Sequence, residues 1–445
     1  MAELGKENPV CIVGMGYVGT SLAAVLADLG LRIYGLDINP SRVNQINDGD
    51  CPIEEETITK HFERYAEKGI ITATDSFNAV SECSIVIITV GTPLTEKNPD
   101  TSAVEAATSS IGPYIDAGDL VIFRSTLPAG ATEGILRPTL DEASGLQAGE
   151  DYSLAFCPER MAEGSAYDDL TSLPVVVGGY TESCRKCVEQ FWHDLGQETV
   201  SVSSPTAAEL TKLADNWWID LNIALANEVA LLSEELGVDA MEVIQAANSL
   251  PKGDHKVNIL YPGSGVGGSC LLKDPWFVAN LGDQHDLDLQ TPRVSRRVNN
   301  QMPGHMVNLL DEVLPEIKES NVAVLGYSFK AETDDTRNTP AKEIIEKLDR
   351  LGANIRVTDP FVSSSIIEEE VGVEPFRLPE ALDDTDAIVI VTGHDQYQSL
   401  DAGDLISYVG SDEFTVVDGR FTFDPEDFTD TPITYRGVGR GDIDE

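Results

Sequence analysis

The sequence predicts an α/β protein in which two Rossmann-like, doubly wound domains are joined by a long helix. Three observations lead to this prediction. A glycine fingerprint between Gly14 and Gly19 follows a short apolar run, and a second series of short apolar runs begins at Asn321. Between these two regions, a helical pattern extends from Ser203 to Gly237 with few helix-breaking residues.

The first element is a βαβ unit that carries the fingerprint. Val10 to Val13 and Ile33 to Leu36 have strand-like patterns, and the apolar run Ser21 to Leu29 between them is typical of a helix. In this context glycines permit a tight turn and close approach of a diphosphate, which the helix N-terminus also favours. Asp37, after the second strand, can accept hydrogen bonds from ribose hydroxyls and repels a 2′-phosphate. The sequence therefore predicts NAD rather than NADP, with contacts from Gly14, Gly16, Gly19 and Asp37.

Further short apolar runs extend this first sheet, at Ile85 to Val90, Leu120 to Phe123 and Val175 to Val177. Ligands of open parallel sheets bind beyond the carboxyl ends of the strands. Thr92 and Thr126 follow two of these runs, so both are candidate contacts to cofactor or substrate. Ordinary turn chemistry is an equally good explanation for either threonine alone.

The central helical pattern carries two polar residues that share one face. Lys212 and Asn216 are four positions apart, which places them on the same side of a helix. The apolar residues from Trp217 to Ala226 occupy several sides, so this helix is expected to be buried between domains or against another subunit. We interpret the pair Trp217-Trp218 as packing residues.

The second α/β pattern begins with the run Asn321 to Lys330. Strand-like runs recur at Ile355 to Val357, Ala387 to Val391 and Thr415 to Val417. The residues after Phe423 are acidic, and we expect them to be extended or frayed.

Length and charge limit the classes of function. The chain has 445 residues, which suggests two or three domains, and 30 Lys and Arg against 76 Asp and Glu, a formal net charge of −46. This charge disfavours nucleic-acid binding and points to adaptation to a high-salt cytoplasm, where repulsion is screened. The short polar start and the lack of a long apolar run favour a cytoplasmic protein that does not enter membranes.

The number, spacing and surroundings of the cysteines indicate which of them could have a chemical role. Seven scattered cysteines predict a reducing compartment without a disulfide framework. Cys184 and Cys187 form a CxxC without a second CxxC, so we expect no metal site. Cys270 lies in the glycine-rich stretch Gly263 to Asp274, where close backbone approach could leave a reactive thiolate. The alternative is a buried cysteine beside a tight turn.

In order along nearly the whole chain, these pieces resemble the UDP-glucose/GDP-mannose dehydrogenase superfamily. The matching motifs are Gly14 to Gly19, Ser125-Thr126, Pro158-Glu159, Ala208 to Asn216, Gly263 to Asp274, Phe329-Lys330 and Asp335-Thr-Arg337. The resemblance implies an NAD-binding domain at 8–200, a central helical dimerisation domain at 203–300, a UDP-sugar-binding domain at 318–430 and an acidic tail at 431–445. It also implies a UDP-sugar substrate and a homodimer or higher homo-oligomer.

The resemblance implies a four-electron oxidation of a sugar C6 alcohol to a carboxylate with two NAD molecules. The thiol of Cys270 would capture the intermediate aldehyde as a thiohemiacetal, which is oxidised to a thioester and then displaced by water. Lys212 and Asn216 match residues that steady the developing oxyanion. Asp274 and Glu159 match carboxylates that position or deprotonate water, with Thr126 as a relay.

Binding residues follow from the same motifs. Lys330 and Arg337 match diphosphate contacts to the nucleotide sugar and to NAD respectively. Further cofactor contacts are expected from Tyr17, Val18, Arg42, Thr92 and Thr126. Further substrate contacts are expected from Arg160, Met161, Lys212, Asn216, Lys256, Gly267 and Phe329.

The sugar is the least determined part of this prediction. Three segments look like the UDP-N-acetylhexosamine branch: Asp220 to Glu228, Cys157 to Arg160 and Asp274 to Phe277. In contrast, Ala162 to Gly164 and Gly268 to Cys270 look more like UDP-glucose enzymes. Lys256 stands where the family commonly has an arginine, so the planar fork of that contact is lost. We expect UDP-N-acetylmannosamine, with UDP-glucose and UDP-N-acetylglucosamine as alternatives.

Two other classes of function share parts of this pattern. A two-electron hydroxy-acid dehydrogenase would have the Rossmann half and the helical middle, but it needs no cysteine and yields one NADH per product. A non-catalytic NAD-binding regulatory protein would be stabilised by NAD and by no UDP-sugar. The presence of Cys270, Lys212, Asn216 and Asp274 together disfavours this last class.

Overall fold

The computed structural model describes residues 9–253 and 255–440, and the chain divides into two compact units. Unit 1 comprises residues 1–215 and 276–288, and unit 2 comprises residues 216–275 and 289–445. Each unit is built on a sheet whose strands are mostly parallel, so the predicted α/β class with Rossmann-like sheets is confirmed.

Unit 1 contains ten strands in the described residues. They are β1 (Val10–Val13), β2 (Ile33–Leu36), β3 (Ile71–Thr74), β4 (Ile85–Ile88), β5 (Leu94–Thr95), β6 (Asn98–Pro99), β7 (Leu120–Phe123), β8 (Ser153–Phe156), β9 (Val175–Gly179) and β10 (Thr199–Val202). Eight of them form one sheet in the order β3-β2-β1-β4-β7-β8-β9-β10, and β5 pairs with β6 in a hairpin. The sheet is parallel except between β8 and β9.

Helices cover both faces of this sheet. They are α1 (Tyr17–Asp28), α2 (Pro40–Asp48), α3 (Glu56–Ala66), α4 (Ser102–Ile111), α5 (Arg137–Ser144), α6 (Ala166–Ser172) and α7 (Glu182–Asp194). Because side chains alternate along a strand, Val10 and Ile12 pack into one apolar cluster, and Cys11 and Val13 pack into another. Burial on both faces explains why the strands have continuous apolar runs.

The strand order of unit 1 places a binding crevice at one point of the sheet. From β1 the chain first builds outward through β2 and β3, and then returns to the other side of β1 with β4. The loops after β1 and β4 therefore diverge and leave a crevice at their carboxyl ends, which is where such sheets bind dinucleotides.

Unit 2 combines long helices with a second sheet. Helix α8 (Pro205–Glu235) begins in unit 1 and ends in unit 2. Along the chain it is followed by α9 (Ala240–Asn248), β11 (Pro251–Lys252), β12 (His255–Lys256) and α10 (Asp274–Gln284), of which all but the first two residues belong to unit 1. The remaining elements of unit 2 are α11 (Thr291–Val313), β13 (Asn321–Leu325), α12 (Pro340–Leu351), β14 (Asn354–Thr358), α13 (Ser364–Val371), β15 (Ala387–Ile390), α14 (Asp395–Gln398), α15 (Ala402–Val409), β16 (Thr415–Asp418) and β17 (Thr434–Gly437). The parallel order is β14-β13-β15-β16-β17, a doubly wound arrangement.

The expectation of a frayed end after Phe423 is wrong for the described part of that segment. Strand β17 pairs with β16 in parallel, and Phe428, Ile433 and Tyr435 are buried in the apolar cluster of this sheet. The strand has only four residues and alternates Tyr435 with polar neighbours, so a sequence pattern alone does not reveal it. Residues 441–445 of the expected acidic tail lie outside the described residues.

A buried histidine fixes the loop that follows β13. The imidazole Nε2 of His394 lies 3.1 Å from Oδ2 of Asp359 and 3.2 Å from Oγ of Ser328, and its Nδ1 accepts a hydrogen bond from the backbone N–H of Glu332 at 3.1 Å. Asp359 also accepts from the backbone N–H of Tyr327 at 2.7 Å. Burial by itself would raise the pKa of Asp359, but the hydrogen bond and electrostatic interaction with the His394 imidazole and the backbone donors hold it at about 2.

We expect Asp359→Asn to cost stability only where the carboxylate is charged. The folded pKa lies below the unfolded value of about 3.9, so the contribution is present above that pH and is lost as pH falls toward the folded pKa. A shift of roughly two units corresponds to about 2–3 kcal/mol. In urea unfolding experiments, the difference in the free energy of unfolding between Asp359→Asn and wild type should shrink from about pH 7 to about pH 3. The exposed control Asp412→Asn should have the same free energy of unfolding as wild type at each pH. A difference between Asp359→Asn and wild type that does not change with pH would contradict the prediction.

Candidate functional site

The dinucleotide fingerprint forms a turn that only glycine fits at two of its positions. Gly14 has φ +96°, and a Cβ at Gly19 would lie 2.0 Å from the carbonyl oxygen of Gly14. At Gly16, in contrast, nothing lies within 4 Å of a Cβ position. The turn therefore leaves open space at Gly16, at the start of α1, where a diphosphate would approach the helix N-terminus. This geometry fits an NAD molecule.

Substitutions at these glycines should separate folding from cofactor binding. Gly19→Ala forces a clash with backbone, and we expect unit 1 to lose about 3 kcal/mol or more of stability. Gly16→Ala meets no neighbour, so the protein should fold normally but bind NAD at least about tenfold more weakly, because the methyl group fills the diphosphate space. Thermal unfolding and NAD titration measure the two effects. Normal NAD affinity in Gly16→Ala would contradict the cofactor position.

Asp37 is in place at the end of β2. Its side chain is buried, and its Oδ2 accepts from the backbone N–H of Met15 at 2.8 Å and from the guanidinium of Arg42 at 3.0 Å. This links the second strand to the glycine turn. Tyr17 and Val18, two other expected cofactor contacts, are half-buried in the first turn of α1, and Tyr17 donates to the carboxylate of Glu55.

The two threonines predicted at strand ends lie together. Thr92 follows β4, Thr126 follows β7, and the hydroxyl of Thr92 donates to the carbonyl of Thr126 at 2.5 Å. The neighbouring hydroxyl of Thr89 donates to the carbonyl of Gly14 at 2.7 Å. The loops after β1, β4 and β7 are therefore hydrogen-bonded to one another at the crevice of unit 1.

Unit 1 also brings a buried carboxylate and a buried ammonium together. Nζ of Lys212, with a side chain only 7% exposed, lies 3.7 Å from Oε2 of Glu159. Glu159 also accepts from the backbone N–H of Met161. Nε of Arg160 pairs with Oδ2 of Asp215 at 3.2 Å, so this expected substrate contact is engaged by a carboxylate of α8. A buried ammonium beside a carboxylate in a low-dielectric site can stabilise a developing negative charge.

Sequence reasoning missed the buried cation Arg124. Its side chain lies directly after β7, and it donates to the carbonyl of Cys157 at 3.3 Å. Burial lowers the pKa of this guanidinium, while the charge of Glu159 opposes that shift. The available signal was its position at the carboxyl end of a strand, immediately before the Ser125-Thr126 motif.

Cys270 is exposed, so the alternative of a buried cysteine is wrong. All seven cysteines lie within the described residues, and Cys270 is the one that is exposed. Its carbonyl accepts hydrogen bonds from the backbone N–H of Asp274 at 2.8 Å and of Lys273 at 3.0 Å. The cysteine therefore stands immediately before the first turn of α10.

Asn216 and Asp274 meet directly in unit 2. Both side chains are buried, and the amide of Asn216 donates to Oδ2 of Asp274 at 2.5 Å. Nζ of Lys273 lies 4.0 Å from the other carboxylate oxygen. Asp274 is thus bonded to Asn216 through its side chain and to Cys270 through its backbone, which joins three of the predicted catalytic residues.

Several expected nucleotide-sugar contacts border the same glycine-rich loop. A Cβ at Gly267 would lie 2.3 Å from Cβ of Phe329, so only glycine allows this approach. The backbone N–H of Gly268 donates to the carbonyl of Arg337 at 2.8 Å, and the guanidinium of Arg337 pairs with Asp335. Lys330 and Lys256 are exposed, on the loop after β13 and on β12 respectively.

Within residues 9–253 and 255–440, no group of three or more His, Cys, Asp or Glu side chains is arranged to hold a metal ion. In the same residues, no helix combines the length and apolar character needed to cross a bilayer.

Family models match the chain in three consecutive segments. The NAD-binding domain of the UDP-glucose/GDP-mannose dehydrogenase family matches residues 8–196, its central domain matches residues 206–301, and its UDP-binding domain matches residues 323–425. The chain belongs to the UDP-glucose/GDP-mannose dehydrogenase family. It is therefore an NAD-dependent nucleotide-sugar dehydrogenase, and the predicted family, enzyme class and cofactor are confirmed.

Individual family members are similar over nearly their full length. A UDP-N-acetyl-D-mannosamine dehydrogenase from Pyrococcus horikoshii is 32% identical, with 98% of this chain and 100% of the relative covered. Its solved structure has a TM-score of 0.88 to this chain over the same shares. A UDP-glucose dehydrogenase structure from Pyrobaculum islandicum is 30% identical with a TM-score of 0.87, covering 97% of this chain and 98% of that one. An NDP-N-acetyl-D-galactosaminuronic acid dehydrogenase from Ralstonia nicotianae is 33% identical, covering 90% and 94%.

Proposed function

We propose that this dehydrogenase oxidises UDP-N-acetylmannosamine at C6 to UDP-N-acetylmannosaminuronate, with Cys270 as the covalent nucleophile. The observation that carries the proposal is the exposed Cys270, whose backbone is bonded to Asp274 while the side chain of Asp274 is bonded to Asn216. An accessible thiol at the tip of a glycine-rich loop can add to a carbonyl, which a buried structural cysteine cannot do.

NAD, when bound, accepts a hydride from C6 in each of the two oxidations. The C6 hydroxyl first loses a proton and the carbon a hydride, which gives the aldehyde. The thiolate of Cys270 adds to this carbonyl as a thiohemiacetal, and loss of a second hydride and proton gives the thioester. Water then attacks the thioester, the carbon–sulfur bond breaks, and the carboxylate and thiolate are released. In total one water is consumed, two NADH form and three protons leave.

The other residues have roles that suit their surroundings. The ammonium of Lys212 and the amide of Asn216, one turn apart on α8, stabilise negative charge on the C6 oxygen as it becomes tetrahedral. Glu159 and Asp274 are the carboxylates that orient water for hydrolysis, and Thr126 relays a proton. These assignments rest on the family motifs and on the buried contacts of each residue.

The choice of sugar rests on the relatives. Two of the most similar proteins, from Pyrococcus horikoshii and Campylobacter jejuni, are UDP-N-acetyl-D-mannosamine dehydrogenases, at 32% identity each. UDP-glucose and UDP-N-acetylglucosamine are the alternatives. The lysine at position 256 in place of an arginine keeps a positive charge for the nucleotide sugar without bidentate geometry.

A panel of UDP-sugars with NAD tests this function. We expect the kcat/KM for UDP-N-acetylmannosamine to exceed those for UDP-glucose and UDP-N-acetylglucosamine by at least about tenfold. Pocket groups that bond its acetamido group would be left unpaired by UDP-glucose, which lacks that group, and by UDP-N-acetylglucosamine, which carries it in the opposite configuration at C2. Wild type should form two NADH per uronate. One NADH per product would select a two-electron dehydrogenase, and stabilisation by NAD without turnover of any UDP-sugar would select a regulatory protein.

The assay should be run in low and in molar KCl. The formal charge of −46 predicts that activity and stability rise as salt screens repulsion between carboxylates, and unchanged behaviour would remove the inference of a saline habitat. The seven cysteines are all free thiols, which supports a reducing cytoplasm as the compartment.

We also propose a homodimer that buries one face of α8. Trp218, Leu225 and Leu232 are exposed and recur at helical spacing along one side of this helix, and the exposed Leu236 directly follows its last residue. Leu225→Asp with Leu232→Asp should convert the dimer to monomers in light scattering, because charges would face apolar surface. The control Glu228→Asp should remain dimeric. A wild-type monomer at assay concentration would contradict the proposal.

A further inference from the structure

The glycine-rich loop that carries Cys270 has a backbone that does not by itself favour one conformation. It contains Gly263, Gly265, Gly267 and Gly268. The φ angle is +137° at Gly265 and +79° at Gly268. Glycines permit such conformations but do not select them, so a loop of this composition requires outside contacts to hold one conformation. The middle of the loop is held at Gly268, whose backbone N–H donates to the carbonyl of Arg337 and whose carbonyl accepts from the amide of Asn338. The position of the Cys270 thiol therefore depends also on what binds the two ends of the loop.

Helix α8 binds the start of the loop through Asn227. Its side-chain oxygen accepts the backbone N–H of Gly263 at 3.0 Å, and its amide donates to Oδ1 of Asn299 at 2.9 Å. The amide of Asn299, on α11, donates in turn to Oδ1 of Asp220 at 2.8 Å. Asn227, Asn299 and Asp220 are all buried, so each bond is shielded from water.

An ion pair binds the other end, directly after the cysteine. The guanidinium of Arg296 donates to Oδ1 of Asp220 at 2.5 Å and to the carbonyl of Leu271 at 3.4 Å, and it also contacts Asn300. The side chains of Arg296 and Asp220 are 1% and 0% exposed. Burial lowers the pKa of Arg296, against the effect of Asp220. Burying a charged pair costs desolvation that packing with apolar residues would avoid, so the pair is better suited to fixing geometry than to adding stability.

We propose that Asp220, Arg296, Asn299 and Asn227 form a positioning network that holds Cys270 where it can capture the aldehyde. The network contacts the loop at Gly263 and at Leu271, on both sides of the cysteine, while Asn216 holds Asp274 beyond it. Its members do not touch the reacting atoms and act through the backbone of the loop. The inference rests on the proposed covalent function.

The test uses variants that loosen the loop at either end. Arg296→Lys keeps a charge beside Asp220 but loses the planar guanidinium, in which Nη1 reaches both Asp220 and Leu271 while Nη2 contacts Asn300. Asn227→Ala releases Gly263 and leaves the ion pair intact. The matched control is His305→Gln, which breaks a 2.9 Å pair between His305 of the same α11 and Glu234 of the same α8, away from the loop.

Three readouts separate positioning from general support of the fold. We expect both network variants to bind NAD and UDP-sugar within about threefold of wild type. Their rate constant for alkylation of Cys270 by iodoacetamide, measured by mass spectrometry in the absence of substrate, should change by at least about fivefold. Uronate formation should fall at least about thirtyfold, and hydroxylamine should trap released aldehyde as its oxime. His305→Gln should match wild type in all three.

The outcomes distinguish this inference from the proposed function. If wild type does not form two NADH per uronate, the covalent scheme fails whatever the variants do. If wild type does so, and folded Arg296→Lys and Asn227→Ala show wild-type alkylation without aldehyde release, the positioning network is wrong. If Arg296→Lys does not fold, the alkylation rate and aldehyde release of Asn227→Ala alone test the positioning network, because this substitution removes only the bonds to Gly263 and Asn299.

Discussion

Cys270→Ser should reduce uronate formation by at least about a thousandfold while leaving NAD and UDP-sugar affinities within about threefold of wild type. A serine hydroxyl is rarely ionised at neutral pH, whereas a thiol is partly ionised and adds readily to a carbonyl. The exposed position of Cys270 means that the substitution creates no cavity in a core. The effect should therefore appear in kcat rather than in folding.

The chain offers a matched control for this experiment. Cys187 is only partly buried on α7, and Cys187→Ser should retain wild-type activity. Intact-mass measurement during turnover should detect a covalent adduct in wild type and none in Cys270→Ser. Uronate production by Cys270→Ser at the wild-type rate would rule out the covalent route.

Lys212→Met should lower kcat by about a hundredfold to a thousandfold, the loss typical of removing one group that stabilises a developing oxyanion. Lys212 is also the buried partner of Glu159, at 3.7 Å, so its removal leaves a carboxylate without its neighbouring cation. This second effect alone should destabilise the protein, by up to about 3–5 kcal/mol, because Glu159 then keeps only the charge of Arg124 near it.

A double substitution separates the two effects. Lys212→Met with Glu159→Gln removes both charges, so the melting temperature should return toward wild type while activity stays low. The surface control Lys186→Met, at an exposed lysine on α7 whose ammonium lies 3.2 Å from a carboxylate oxygen of Glu182, should change neither quantity. If the double variant regained both stability and turnover, Lys212 would be a structural residue only.

Much of the fold could be read from local patterns. The strands Val10–Val13, Ile33–Leu36 and Leu120–Phe123 have the predicted bounds, because each is buried on both faces and is therefore a continuous apolar run ended by glycine or polar residues. Helix α8 was expected between Ser203 and Gly237 and spans Pro205–Glu235. Strand β17, with polar residues beside Tyr435, has no such signal.

The candidate site, like the fold, contains residues that the sequence could predict and residues that it could not. Residue types that chemistry requires are visible as motifs, so Cys270, Lys212 and Asp274 could be named from their order along the chain. Arg124 and Arg296 could not, because a buried cation is recognised by the carboxylate or carbonyl that it meets, which lies far away in sequence.

The sequence by itself determined the α/β class and the NAD cofactor and predicted the thiol chemistry, since these depend on short-range periodicity and on residue types at fixed spacing. Only the tertiary structure decided that Cys270 is exposed, that Asn216 reaches Asp274, and that a buried network from α8 and α11 holds the loop between Gly263 and Leu271. Burial and hydrogen-bond partners are set by contacts between distant segments, and no local pattern specifies them.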